Sequence, residues 1–215
     1  MIETQSAANP SQIAETYDRC SPLYDLVLKP WLQAGRGRAV ELLAPRAGER
    51  VLEIGVGTGL SFEFYPWWAT VTALDFSAGM LRQARRRLDE TPGLPVATLT
   101  QADAQRLPFA DASFDRVLAA YVLTVVPDTA AAVTELLRVV KPGGRVVLMN
   151  HLRSDRPWLA WLEDVLHPVF SRVGLFTLDR DLLGILGQQG VTEPFLEPTS
   201  FLGLHHIIAF DIPRA

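Results

Sequence analysis

The stretch that most limits how this chain can fold is VLEIGVGTGL, residues 51–60, an apolar run that ends in glycines at 55, 57 and 59. A short apolar run bounded by turn residues reads as a buried strand. Glycines directly after it let the backbone turn sharply and let a ligand approach with no Cβ in the way. In open α/β sheets, ligands sit outside the carboxyl ends of the strands. The stretch therefore predicts a sheet and the place of its site together. A second apolar run, TVTALDF, ends the same way, with Asp75 where the strand should stop.

The rest of the chain keeps this rhythm. Strands are expected near 50–56, 70–76, 95–103, 113–123 and 144–151, with helices over SAGMLRQARRRLDE and DTAAAVTELLRVVKPGG between them. In the second helix Val133, Leu136, Leu137 and Val140 fall on one face, and Gly143 and Gly144 are expected to end it. Alternation of this kind implies βαβ units, a parallel sheet and right-handed crossovers. The C-terminus departs from it: VTEPFLEPTS and FLGLHHIIAFDIP are consecutive extended runs. They predict a hairpin, so the last strand should run antiparallel to its neighbours. The first fifty residues read as helical, with Asn9 as a cap, Pro10 at the first helical position and Gln12 three after the cap. Pro30 divides SPLYDLVLKPWLQAGRGRAVELLA into two pieces. No repeat or linker interrupts the chain, so one domain is expected over 1–215: an N-terminal helical segment to 44, a core over 45–151, and helices plus hairpin over 152–215.

Composition narrows the classes. A 48% hydrophobic share in 215 residues can build one sizeable core. A net charge of -4 speaks against nucleic acid as the partner. Cys20 is alone, so no internal disulfide forms. The polar start MIETQSAANPSQ is not a signal peptide, and no apolar run reaches the roughly 18–20 residues of a spanning helix. No His/Cys/Asp group has metal-ligand spacing, so no metal is expected.

The glycine spacing selects the cofactor. A dinucleotide fingerprint is G-x-G-x-x-G, with a pyrophosphate on the helix N-terminus. Here the pattern is G-x-G-x-G behind Glu53, and Leu60 stands where the third dinucleotide glycine would be. A carboxylate beside the ligand disfavours a pyrophosphate and favours an ammonium or a sulfonium. S-adenosylmethionine (AdoMet) offers both and carries no phosphate. Asp75 can accept both ribose hydroxyls. Asp103, in QADAQRLPF, is placed for the adenine amino group, and Ala104 for a backbone N–H to the ring. The cofactor set is thus Glu53, Gly55, Gly57, Gly59, Asp75, Phe76, Met80, Asp103 and Ala104. Singly these residues are turns and caps; their order carries the reading.

With these residues in place, the chain resembles the class I AdoMet-dependent methyltransferases. VLEIGVGTGL looks like their first motif, ALDFS the second and QADAQRLPF the third. SFDRVLAAYVLTVVPD and LLRVVKPGGRVVLMNH are similar to the next strand of that family and its KPGG turn. The resemblance implies an α/β, Rossmann-like, seven-stranded, mostly parallel sheet of order 3-2-1-4-5-7-6. Strand 7 would be antiparallel, with helices on both faces and an N-terminal helical lid. A narrower resemblance runs through YDRCSPLYDLVLKPWLQAGRGRAVELL, AAYVLTVVPD, LMNH and GLHHIIAFD. These are similar to bacterial phosphatidylethanolamine N-methyltransferases, themselves related to quinone C-methyltransferases. That resemblance implies stepwise methylation of phosphatidylethanolamine to phosphatidylcholine. It also implies a phospholipid substrate, an anionic membrane surface as partner, and a cytoplasmic enzyme held peripherally at the inner face of the membrane. The oligomeric state stays open, a monomer being compatible.

Methyl transfer is an in-line displacement in which an enzyme positions reactants and excludes water. An ethanolamine amine resembles lysine, with a pKa of about 10.4, and must lose a proton before it attacks. A dry pocket or a nearby base achieves this. Tyr17 and Tyr24 are the candidate lid and acceptor-positioning residues, while Tyr121 and His151, after strands four and five, should line the amine pocket. His205 and His206 alternate on the last strand, so one faces inward, and both read as structural. Membrane docking would use Lys29, Trp31, Arg36 and Arg38, with FYPWW at 64–68 as further exposed aromatics. The apolar stripe over 156–172 reads as packing on the sheet or covering an apolar substrate tunnel, and Arg82, Arg85, Arg86 and Arg87 as a solvated helix face. Three alternatives stay open: a quinone ring carbon or small apolar acid as acceptor, a nicotinamide-dependent oxidoreductase, and a cofactor-binding protein without catalysis.

Overall fold

The apolar run at 51–54 becomes β1 (Arg50–Ile54), inside a seven-stranded sheet of order β3-β2-β1-β4-β5-β7-β6. The computed structural model describes residues 35–151, 181–199 and 205–214. Its remaining strands are β2 (Thr70–Asp75), β3 (Val96–Gln101), β4 (Phe114–Ala120), β5 (Val140–His151), β6 (Phe195–Pro198) and β7 (His205–Asp211). Parallel pairing joins β1 to β2 and β4, β2 to β3, and β4 to β5. β7 runs antiparallel to both β5 and β6, as the C-terminal hairpin predicted. The described helices are α1 (Arg36–Leu43), α2 (Ala78–Glu90), α3 (Thr129–Val139) and α4 (Leu182–Gln188).

Two apolar cores, one on each face, explain why β1 reads as a continuous rather than an alternating hydrophobic run. On one face Ala39, Val40 and Leu43 of α1 and Ala84 of α2 pack with Val51, Phe62 and Val71. On the other, Val133, Leu136 and Val139 of α3 and Leu182 and Leu186 of α4 pack with Leu52, Ile54 and Leu148. Caps fix where three helices begin: Ser77 accepts the N–H of Met80 at 3.1 Å, Asp128 that of Ala131 at 2.9 Å, and Asp181 that of Gly184 at 2.8 Å.

One boundary differs from expectation. The helix expected to reach Gly143 and Gly144 stops at Val139, and Val140 is already extended, with ψ 138. Pro142 removes a backbone donor and biases Lys141 away from helical geometry, so the helix cannot run into KPGG. That segment instead opens β5, where the pairing with β4 shifts register between Phe114 and Arg116. Val140 is therefore a sheet residue and not part of the α3 stripe.

The surface aromatics and cations also sort differently from the sequence reading. Trp67 is 82% exposed. It precedes β2, at the amino end of the strands, and the six residues of β2 put about 20 Å between that end and the carboxyl end. Arg36 is buried, and Arg38 is paired with Glu197 of β6 at 3.0 Å and with Glu41 at 3.2 Å, so neither is a free surface cation. Among the described residues no helix is long and apolar enough to cross a membrane. The Asn9 cap, Tyr17, Tyr24, Lys29, Pro30, Trp31 and the 156–172 stripe lie outside the described residues.

Candidate functional site

A cleft opens at the carboxyl ends of β1, β2 and β4, where the glycine run and Asp75 had placed it. Gly55, Gly57, Asp75, Phe76, Met80, Asp103 and Ala104 all contribute to its wall. The two other residues of the sequence-derived set, Glu53 and Gly59, do not.

The glycines divide their tasks. Gly57 has φ 57, and a Cβ there would meet nothing within 4 Å, so a side chain would occupy the room a ligand needs. At Gly59, with φ 80, a Cβ would lie 2.4 Å from the ring of Phe62, a buried core residue. Gly59 therefore serves packing. Asp75 is fixed by backbone donors: Oδ2 accepts from the N–H of Gly57 at 2.7 Å, and Oδ1 from that of Ser77 at 2.9 Å. Each carboxylate oxygen has a further lone pair, so Asp75 can hold the loop and accept ribose hydroxyls together. Asp103 accepts the backbone N–H of Gln105 at 2.9 Å and its side-chain amide at 3.0 Å. The Gln105 carbonyl oxygen in turn accepts the N–H of Asp128, the α3 cap, at 2.9 Å. Gln105 also lines the cleft, a role the sequence reading did not assign.

Glu53 is fully buried on β1 and accepts a hydrogen bond from the Ser61 hydroxyl. Nη1 of Arg36 donates to the same hydroxyl at 3.3 Å. Burial pushes the Glu53 carboxyl above its ordinary range, and Ser61 and the charge of Arg36 pull it partly back. Burial and the nearby Glu53 raise the Tyr65 phenol well above its usual value. Glu53 thus acts on the cleft through its neighbours: Arg36 reaches the cleft wall, but the carboxylate does not.

Tyr121 stands directly after β4 with φ 62, a left-handed conformation costly for a bulky residue. Its N–H donates to the carbonyl of Met149 at 2.6 Å. The guanidinium of Arg36 lies 5.5 Å from the centre of its ring, and the His205 ring meets it edge-on at 5.4 Å. Burial, reinforced by His206, holds the His205 imidazole below its usual pKa, so it is neutral at pH 7. His151 ends β5 opposite His205 in register, which brings two sequence-derived candidates, Tyr121 and His151, to one end of the sheet. His205 and Arg36 join that corner although the sequence reading gave one a structural role and the other a surface role. Their only local signal was position near an element end. Among the described residues no group of His, Cys, Asp or Glu could hold a metal ion.

Known proteins share this arrangement of elements. Residues 52–148 match a family model described as a methyltransferase domain. A phosphatidylethanolamine N-methyltransferase from Cereibacter sphaeroides is 40% identical over 154 residues, spanning 72% of this chain and 75% of that protein. A demethylmenaquinone methyltransferase from Clavibacter sepedonicus is 39% identical over 153 residues, spanning 69% of this chain and 61% of that protein. In fold, the chain superimposes with a TM-score of 0.68 on an AdoMet-dependent methyltransferase from Thermotoga maritima, described as a possible histamine N-methyltransferase. That match has 22% identity and covers 92% of this chain and 98% of the other.

Proposed function

The chain belongs to the AdoMet-dependent methyltransferases, and on that premise we propose that it methylates the amine of phosphatidylethanolamine, stepwise toward phosphatidylcholine. AdoMet supplies a methyl group already activated by its sulfonium. The protein's share is to hold the donor on the Gly57 loop, Asp75 and Asp103, to keep water out, and to present a deprotonated amine in line. The observation that carries the reading is the corner after β4, where Tyr121 meets a neutral His205 beside the donor cleft. A partly dry polar corner lowers an ammonium pKa, and a neutral imidazole can take the released proton. Tyr121 belongs to that corner, and His151 with the N-terminal tyrosines Tyr17 and Tyr24 are the further candidates for positioning the acceptor. The enzyme works at the cytoplasmic face of a membrane, docked on anionic lipid.

The phosphatidylethanolamine enzyme and the quinone enzyme match this chain over 154 and 153 residues at 40% and 39% identity, so the choice between an amine and a ring carbon belongs to experiment. The test is direct. Purified protein is incubated with AdoMet and phosphatidylethanolamine in anionic liposomes, with demethylmenaquinone liposomes in parallel, and products are read by mass. Mono-, di- and trimethylated lipid is the expected result. Methylated quinone without methylated lipid would transfer the assignment to the ring-carbon reading.

A further inference from the structure

We infer that Arg36 holds the carboxylate of the donor's methionine moiety and thereby makes the cleft selective for a donor that carries one. The inference rests on AdoMet as cofactor and not on the identity of the acceptor. AdoMet brings two cationic groups, the sulfonium and the amine, and a single carboxylate. The acidic side chains on the cleft wall, Asp75 and Asp103, suit the sugar and base. A carboxylate moved out of water needs a cation, or several donors, to offset its lost hydration. Among the described residues lining the cleft, Arg36 is the one Lys or Arg.

Its setting matches that task. Arg36 is the first residue of α1 and is 6% exposed, so its charge is felt through little water. The guanidinium is held beside Ser61, at the far end of the glycine loop, and over the face of Tyr121. Ser61 is itself fixed by Glu53. The cation is thus preorganised beside the loop expected to carry the amino-acid end of the donor. A guanidinium has five N–H donors in a rigid fork, enough to hold a hydroxyl and a carboxylate at once. Glu53 then has a defined part as a positioning residue: through Ser61 it aims Arg36.

The test is equilibrium binding with no acceptor present, so its outcome is independent of which substrate is methylated. Calorimetry compares AdoMet with decarboxylated AdoMet, which lacks only the carboxylate, on the wild-type chain and on Arg36→Gln and Arg36→Lys. The wild type should favour AdoMet by at least about tenfold, the scale of a charge-assisted, two-pronged hydrogen bond. Arg36→Gln should lose that preference, weakening AdoMet about tenfold while holding the decarboxylated ligand within about threefold. Arg36→Lys should keep part of the preference, since it retains charge without the fork. Equal weakening of both ligands by Arg36→Gln would make Arg36 a structural residue. Unchanged AdoMet binding would place it with the acceptor. Either result overturns the inference. If Arg36→Gln does not fold, the wild-type ratio alone decides: equal affinity for the two donors overturns it.

Discussion

Asp75 shows how much one side chain at a strand end can be asked to do. It satisfies the N–H groups of Gly57 and Ser77 and so holds both the glycine loop and the start of α2. Replacing it by Asn swaps one acceptor oxygen for an amide that opposes a backbone N–H, and buried donors left without acceptors are costly. Asp75→Asn should raise the AdoMet dissociation constant by at least about tenfold in calorimetry, with a smaller loss of Tm in the absence of cofactor. Asp75 and Gly57 were readable from the sequence because their tasks belong to the backbone, a left-handed turn and a strand terminus. Glu53 and Gly59 sit in the same motif, yet one faces Ser61 and the other Phe62. Motif order does not encode which way a side chain points when both faces of a strand are buried.

At the scale of elements, α3 is what keeps the loop after β3 in shape. Glu135 accepts the N–H of Leu107 at 2.7 Å and pairs with Arg138 at 2.7 Å. Arg138 in turn donates to the carbonyl of Phe109 at 2.8 Å and pairs with Asp111 at 2.7 Å. The stretch so held, 107–111, follows directly on Asp103 and Gln105 of the cleft wall. Hydrogen bonds from Arg138, opposed in part by burial and helped by the Leu107 N–H, hold the Glu135 carboxyl below its ordinary range. A depressed carboxyl adds stability that is present above its unfolded pKa, about 4.3, and is lost as pH falls through the lower folded value. Glu135→Gln should therefore cost about 1–2 kcal/mol at pH 7, a Tm drop of about 2–8 °C for a chain of this size. Its further loss of Tm below about pH 4.3 should be shallower than that of the wild type. Thermal melts at neutral and acid pH measure both. The α3 stripe itself was legible from its period. Its end was not, because a proline two residues beyond Val140 stops the helix before the glycines can.

At the scale of the whole molecule, the proposed lipid acceptor makes a prediction about which face would meet a lipid surface. A net charge of -4 means that attraction to an anionic bilayer must be local. The cleft opens at the carboxyl ends of the strands, and Trp67 lies at their amino ends. Trp67→Ala should therefore leave both liposome co-sedimentation and lipid turnover unchanged. Arg36 and Arg38 are engaged within the fold, so neither serves as a docking cation in the proposed reading. Removal of residues 1–32 should reduce co-sedimentation with anionic liposomes. Equal binding of the full and shortened chains would discard the docking role of that segment.

By itself the sequence determined the strand–helix rhythm, the reversed last strand, the glycine turn after β1, and the acids at the end of β2 and just after β3. All of these come from backbone geometry, periodicity and turn chemistry within a few neighbouring residues. Only the tertiary structure decided that Arg36 sits against Ser61 and Tyr121, that His205 closes on Tyr121, and that Glu53 reaches the cleft only through them. Those contacts join α1, β1, β4 and β7, far apart along the chain. Side chains from such distant segments meet only once both faces of the sheet are packed, because packing then fixes which of the two faces each one takes.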